Sequence, residues 1–105
     1  MKNITDADVR DFVKGELPLA TTLFKKIDIE DSAPLQALHE ADDIAEMTEN
    51  FFERFNVQPA GFFLGNYYPW KSKPLFSRKQ PNEDKKPLTI IMYIESAKAG
   101  RWLYD

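Results

Sequence analysis

Ala41-Asp-Asp-Ile-Ala-Glu-Met-Thr-Glu-Asn-Phe-Phe-Glu-Arg-Phe-Asn-Val57 is the strongest helix signal in this sequence. Asp43 is suited to cap its first turn, with Glu46 three residues later as the second half of a capping box. Asn56 is a suitable exit residue, and Pro59 prevents much continuation. The stretch therefore predicts an amphipathic helix over 43–56. Its apolar side chains are spaced three or four residues apart, which places them on one face: Ile44, Met47, Phe51 and Phe55.

A second stripe of the same helix is acidic. Like charges four residues apart on a helix cost about 0.2–0.5 kcal/mol per pair. Two interpretations follow, a solvated helix face or a docking surface for a basic protein partner. The stripe consists of Asp42, Glu46, Glu49 and Glu53.

Length and composition exclude several kinds of fold and functional site for this protein. A chain of 105 residues with 43% hydrophobic content is one domain, 1–105, with a single core. With no cysteine and His39 as the only histidine, the sequence excludes a disulfide framework and a thiolate or multi-histidine metal site. No apolar run reaches the ~18 residues that span a bilayer, and the N-terminus has no signal-peptide core. We expect a soluble cytoplasmic protein that needs no cofactor.

The net charge of −3 is distributed unevenly. Residues 28–53 hold nine acidic side chains and no Lys or Arg, whereas residues 71–86 hold six basic side chains and two acidic ones. Such asymmetry bears on partners and encounter rates rather than on the fold. The proline-rich basic stretch predicts an exposed loop at 71–87. Because the chain as a whole is acidic, we do not expect it to bind nucleic acid.

The chain before the central helix contains one clear element. Thr5 is a capping residue with acidic residues in the following turn, which predicts a first helix over 6–16. Residues 18–40 are apolar without a regular period, so we expect a long loop there, with a strand at 23–29 as the alternative. Ser32 is expected to cap a short turn near the end of this loop.

Two segments follow the central helix. Residues 62–70 are rich in aromatic side chains that do not alternate like those of a strand, and either a short helix or an irregular segment fits. They indicate core packing, with a ligand groove as the alternative. Thr89 and Gly100 then bracket a final helix as its cap and its end. After this helix, Trp102 is expected to pack into the core. The alternative is that Arg101 and Trp102 together bind an anion or a partner.

The order of these elements resembles the acyl carrier protein fold, a small all-α bundle. In carriers, the second helix opens with Asp-Ser-Leu, its serine accepts a phosphopantetheine arm, and its acidic face docks basic patches of partner enzymes. Alignment of the central helix with that helix puts Ala41 or Asp42 at the serine position, and no serine occurs between 33 and 71. The resemblance implies a bundle of three main helices and a short one, without the attachment serine.

Three groups of residues carry a second resemblance. They are Asp42-Asp43 with Phe51 and Phe55-Asn56-Val57, then Gly61-Phe62 to Tyr67-Tyr68-Pro69, and finally Pro87-Leu88-Thr89 with Ala97 to Trp102. At these places the chain resembles DUF1493, a family of small bacterial proteins of unknown function. None of the shared motifs is catalytic, so the resemblance implies a fold and no activity.

Two other places offer chemistry. Asp31-Ser32 is similar to the carrier attachment motif, although alanine follows the serine. His39 is followed closely in the sequence by the acidic residues Glu40, Asp42 and Asp43, and this grouping suggests a metal or acid–base site. Acidic residues at a helix start are more simply explained as favourable charges at the positive end of the helix dipole.

The sequence thus predicts a carrier-like domain that is not an enzyme. It is expected to bind a basic protein partner through Asp42, Glu46, Glu49 and Glu53. The alternatives are an acidic inhibitor or immunity-type protein that masks a basic active surface, and a carrier modified on Ser32. Neighbouring genes separate the first two classes, because biosynthetic genes indicate a carrier relative and a toxin gene indicates an inhibitor.

Overall fold

The computed structural model describes residues 3–17, 30–70 and 85–104. Its three α-helices are α1 (Asp6–Glu16), α2 (Ala41–Arg54) and α3 (Ile90–Ala99), and single 3-10 turns lie at Leu35–Ala37 and Leu64–Asn66. These segments contain no strand, and their only extended pairing is an isolated bridge between Gln58 and Arg101. The all-α prediction is confirmed. None of the helices in these segments is long and apolar enough to cross a membrane.

Helix α1 has the predicted bounds, because local hydrogen bonds fix its start. The Thr5 hydroxyl accepts from the Asp8 amide at 3.1 Å, and the Asp8 carboxylate accepts from the Thr5 amide at 3.1 Å. This reciprocal capping box satisfies two amides that the helix leaves unpaired. The buried side chains of Val9 and Val13 then face the core, and α1 packs against both α2 and α3.

Helix α2 begins at Ala41, two residues earlier than predicted, and the capping box at Asp43 and Glu46 is wrong. Glu40 occupies the cap position without a side-chain hydrogen bond, and its carbonyl oxygen accepts from the Ile44 amide at 3.1 Å. Asp43 therefore lies inside the first turn. There its negative charge interacts favourably with the positive end of the helix dipole, but its side chain does not cap the helix. The helix ends at Arg54, and Asn56 takes a positive φ of 54°, so the predicted exit residue is confirmed.

The core is largely aromatic and is centred on Phe51 of α2. Phe51 is fully buried, and its ring meets the ring of Tyr93 edge to face at 4.9 Å. Beside this pair, the buried Thr48 and Tyr93 hydroxyls share a hydrogen bond of 2.7 Å. Truncation of Phe51 to alanine is expected to cost about 3–5 kcal/mol, because this side chain fills the centre of the core.

Helix α3 begins and ends as predicted. The Thr89 hydroxyl accepts from the Met92 amide, and Gly100 closes the helix in the left-handed region at φ 80°. The tail then pairs with Gln58, whose carbonyl oxygen accepts from the Trp102 amide at 2.7 Å. This pairing holds Trp102 in the core with 1% of its surface exposed. The prediction that Trp102 joins the core is confirmed, and Arg101 beside it is exposed.

A buried glutamine joins three segments that lie far apart in sequence. The Gln36 side-chain nitrogen donates to the Lys86 carbonyl oxygen at 2.7 Å and to that of Tyr67 at 3.4 Å. Its side-chain oxygen accepts from the buried Leu88 amide at 2.8 Å. One side chain therefore fixes the turn at Leu35–Ala37 against Tyr67 and against the segment that leads into α3.

Two local predictions need correction. Ser32 does not cap the following turn, because the cap position of Leu35–Ala37 is occupied by Pro34, which has no side-chain donor or acceptor. At the end of the predicted exposed loop, Lys85 is half-buried, since its ammonium donates to the Gly65 carbonyl oxygen at 2.9 Å. The possible strand at 23–29 and the rest of the loop, 71–84, lie outside the described residues.

Candidate functional site

The acidic stripe, defined as Asp42, Glu46, Glu49 and Glu53, lies on the face of α2 that points away from the core. At about 100° per residue, the four side chains fall within an arc of roughly 60°, opposite the arc of the buried residues. All four are exposed. With a rise of 1.5 Å per residue, the stripe extends for about 16 Å, almost the whole length of the helix.

No described side chain neutralises the acidic stripe. The ion pairs of the described segments lie elsewhere, between Arg10 and Asp31 and between Lys98 and Asp6. Neighbouring carboxylates of the stripe are three or four residues apart, a spacing that costs about 0.2–0.5 kcal/mol per like-charge pair. Within the described residues, the stripe therefore has no compensating positive charge, and the repulsion between its members costs some helix stability.

A groove at the N-terminal end of α2 adjoins the start of the stripe. It encloses about 670 Å³, within the size range of ligand pockets. Its two walls come from the segment just before α2 and from the aromatic segment 64–70, which the Gln36 hydrogen bonds hold in place. We call it the aromatic groove, lined by Gln36, His39, Glu40, Ala41, Leu64, Gly65, Tyr68, Pro69 and Trp70.

None of the residues that line the aromatic groove is Lys or Arg, and its one histidine is neutral. Burial lowers the pKa of His39 below the ordinary value of 6.5, although Asp43 acts in the opposite direction, so the imidazole is neutral at pH 7. Burial raises the pKa of Tyr68, and its hydroxyl donates to the His39 carbonyl oxygen at 2.8 Å. The acidic residue Glu40 is part of the lining. In the described segments, no three histidine or carboxylate side chains converge to hold a metal ion.

A second groove lies at the opposite end of α2. It encloses about 640 Å³ and carries charges of both signs on an aromatic floor. The Arg54 guanidinium lies over the Phe55 ring at 5.4 Å. The lining comprises Asn3, Ile4, Asp8, Asp11, Phe12, Arg54, Phe55 and Asn56.

The Asp31-Ser32 motif forms an exposed turn that is anchored by the aspartate. The Asp31 carboxylate accepts two hydrogen bonds from the Arg10 guanidinium, at 2.8 and 2.6 Å, and this pairing lowers the pKa of Asp31. The backbone carbonyl oxygen of Asp31 accepts a hydrogen bond from the Ile91 amide at 3.2 Å. Asp31 therefore fixes the turn to α1 and α3, and Ser32 beside it is exposed.

Residues 62–70, for which the sequence predicts core packing with a ligand groove as the alternative, contribute side chains to both. Apart from the 3-10 turn Leu64–Asn66, the segment is irregular, and Tyr67 is fully buried in the core. Tyr68 and Trp70 instead line the aromatic groove, while Phe63 is 63% exposed. The sequence offered a ligand groove here as the alternative to core packing, but it did not predict the second wall, which comes from residues nearly thirty positions earlier in the chain.

Comparison with curated proteins and with solved structures finds no match. Comparison with family models finds one that covers residues 1–105 and is described as a protein of unknown function, DUF1493. This match extends the motifs noted in the sequence to the first forty residues. The chain belongs to the DUF1493 family.

Proposed function

We propose that this protein is a non-enzymatic binding domain that docks a basic surface of a protein partner through the acidic stripe. The observation that carries the proposal is the position of four exposed carboxylates on one arc of α2, directly opposite its buried face and without an ion-pair partner among the described side chains. A partner that supplies Lys and Arg side chains would relieve their mutual repulsion. Complementary charge of this kind also raises association rates.

The dimensions of the stripe suit one face of a basic helix or strand. Its spacing of four, three and four residues matches the repeat of side chains on a helix, so a partner helix carrying bases at similar intervals can pair along about 16 Å. Each exposed ion pair contributes about 0.2–1 kcal/mol, so the set gives specificity and steering rather than high affinity.

We further propose that the bundle is carrier-like and acts without a phosphopantetheine arm. The order of the helices and the acidic second helix support this likeness. Ala41 is the first residue of α2, where a carrier would have its serine, and Ser32 lies in a separate turn. Co-expression with a phosphopantetheinyl transferase, followed by intact mass, tests this point. An arm-sized gain in mass would replace the proposal with a true carrier modified on Ser32.

The docking proposal is tested with two variants that have the same net charge but carry their changes at different places. The stripe variant carries Glu46→Lys, Glu49→Lys and Glu53→Lys, which takes the net charge from −3 to +3. The control variant carries three reversals at exposed acids outside the stripe: Asp11→Lys, Glu16→Lys and Glu30→Lys. Immobilised wild-type protein first captures a partner, which is then purified and titrated against each variant at low and at physiological salt.

The two variants are expected to separate clearly. Reversing three charges that each pair with the partner should weaken the partner's affinity for the stripe variant by about tenfold or more at low salt. This loss of affinity should become smaller at higher salt, because salt screens the charges. The affinity of the partner for the control variant should fall by less than about threefold, since only the overall charge has changed and the stripe is intact. Equal losses in both variants would show that net charge rather than the stripe governs binding. Full binding by the stripe variant would contradict the proposal.

A further inference from the structure

The aromatic rings of the described segments fall into two sets. Nine of them contact another ring and either belong to the core or pack against it. The remaining three, Phe63, Tyr68 and Trp70, contact no other ring, and Tyr68 and Trp70 both line the aromatic groove. The nine are Phe12, Phe51, Phe52, Phe55, Phe62, Tyr67, Tyr93, Trp102 and Tyr104.

The same groove carries negative charge beside these rings. Glu40 is one of its lining residues, and the Glu40 side chain makes no hydrogen bond at the helix cap. Asp43 lies close enough to act electrostatically on both His39 and Tyr68. None of the lining residues is Lys or Arg, and Lys85 nearby directs its ammonium to the Gly65 carbonyl oxygen. Aromatic faces and carboxylates together form an environment that favours an organic cation.

We infer that the aromatic groove receives an arginine side chain of the protein partner, with its guanidinium stacked on Trp70 or Tyr68 and paired with Glu40. This inference rests on the proposed function, because the groove adjoins the first residue of the acidic stripe, Asp42. A guanidinium is planar, stacks on aromatic faces and can pair with a carboxylate through two hydrogen bonds. Lysine offers only a compact, strongly hydrated charge, and an apolar side chain would leave the Glu40 carboxylate without a partner.

Rigid walls support this role. The Tyr68 hydroxyl is held by the His39 carbonyl oxygen at 2.8 Å, which fixes the orientation of its ring. The hydrogen bonds of Gln36 to the carbonyl oxygens of Tyr67 and Lys86 fix the backbone on either side of the groove. A groove held open in this way loses little conformational freedom when it binds, so more of the interaction energy appears as affinity.

The test uses small probes, so it does not depend on finding the partner. The isotope-labelled protein is titrated with Nα-acetyl-arginine amide, followed by NMR at the indole N–H of Trp70, with buried Trp102 as an internal reference. We expect saturable shifts at Trp70 and not at Trp102. Nα-acetyl-citrulline amide, which has the same shape without the charge, and the corresponding lysine amide should bind at least about fivefold more weakly.

Variants separate this inference from the docking proposal. Glu40→Gln and Trp70→Leu should each weaken binding of the arginine probe at least about fivefold, whereas Glu16→Gln, an exposed control, should not. Glu46→Gln with Glu49→Gln should leave probe binding within about twofold, since these residues lie outside the groove. Probe binding that is unchanged in Glu40→Gln, or equal for citrulline, would overturn the inference while leaving the stripe proposal intact. Tighter binding of tetramethylammonium would overturn it in favour of a small quaternary cation.

Discussion

Replacement of Gln36 by leucine should show how much of this fold depends on one buried amide. The substitution removes the hydrogen bonds to the Lys86 carbonyl oxygen, at 2.7 Å, and from the Leu88 amide, at 2.8 Å. A lost hydrogen bond costs about 0.5–1.5 kcal/mol, and a buried donor left without an acceptor costs about 1–3 kcal/mol. Because Leu88 is fully buried, its amide cannot turn to water, and the total is about 2–4 kcal/mol.

The assay is urea unfolding followed by circular dichroism. With a typical slope of about 1–3 kcal/mol per molar urea, the midpoint of Gln36→Leu should fall by about 1–2 M. Gln58→Leu is the matched control, because Gln58 is exposed and its described hydrogen bonds come from the backbone; its stability should stay within about 0.5 kcal/mol of wild type. Amide exchange at Leu88 should accelerate only in Gln36→Leu. A stability within about 0.5 kcal/mol of wild type for Gln36→Leu would refute this reasoning.

Three further outcomes follow from the core and the helix ends. Thr48→Val and Tyr93→Phe should each cost about 1–2 kcal/mol, and the double variant should cost clearly less than their sum, because both remove one shared hydrogen bond; additive losses in urea unfolding would contradict this. Burial lowers the pKa of His39, so the unfolded chain binds its proton more readily and stability should fall as pH drops through the ordinary value of 6.5. His39→Gln should reduce that slope, and an unchanged slope would show that His39 is not its source. Gly100→Ala should cost about 1–2 kcal/mol despite open space around the site, because its φ of 80° disfavours a Cβ; a stabilised variant would rule this out.

The sequence predicted the elements whose ends are set by local hydrogen bonds. The capping box of Thr5 and Asp8 lies within four consecutive residues, so α1 was predicted with its observed bounds. The Thr89 cap and the left-handed Gly100 likewise marked the two ends of α3. At such positions the residue type alone determines the backbone conformation, which is why pattern and structure agree.

The start of α2 was mispredicted because several acidic residues there could serve equally well as a cap. Asp43 has the right chemistry, but the chain enters the helix earlier, through the backbone carbonyl of Glu40. No spacing rule distinguishes these alternatives. The choice depends on how the preceding turn at Leu35–Ala37 is held against the core, which is a tertiary contact.

The parts of the candidate site that were not predicted all depend on contacts between distant segments. Arg10 and Asp31 are 21 residues apart, and Gln36 and Leu88 are 52 apart. The aromatic groove needs both the segment before α2 and residues 64–70. The acidic stripe, by contrast, lies on a single helix, so its four members and their shared face could be read from spacing alone.

A charge swap with the captured partner tests whether the acidic stripe itself contacts a basic surface. Lys or Arg residues of the partner whose change to Glu weakens binding are identified first, and this partner variant is then combined with the Glu46→Lys, Glu49→Lys and Glu53→Lys variant. Four dissociation constants are measured at low salt, for the wild-type pair, for each variant with its wild-type counterpart, and for the swapped pair. If the stripe makes the contact, each variant alone weakens binding about tenfold or more and the swapped pair regains most of the loss. Losses that simply add, with no rescue in the swapped pair, would show that the stripe does not make this contact.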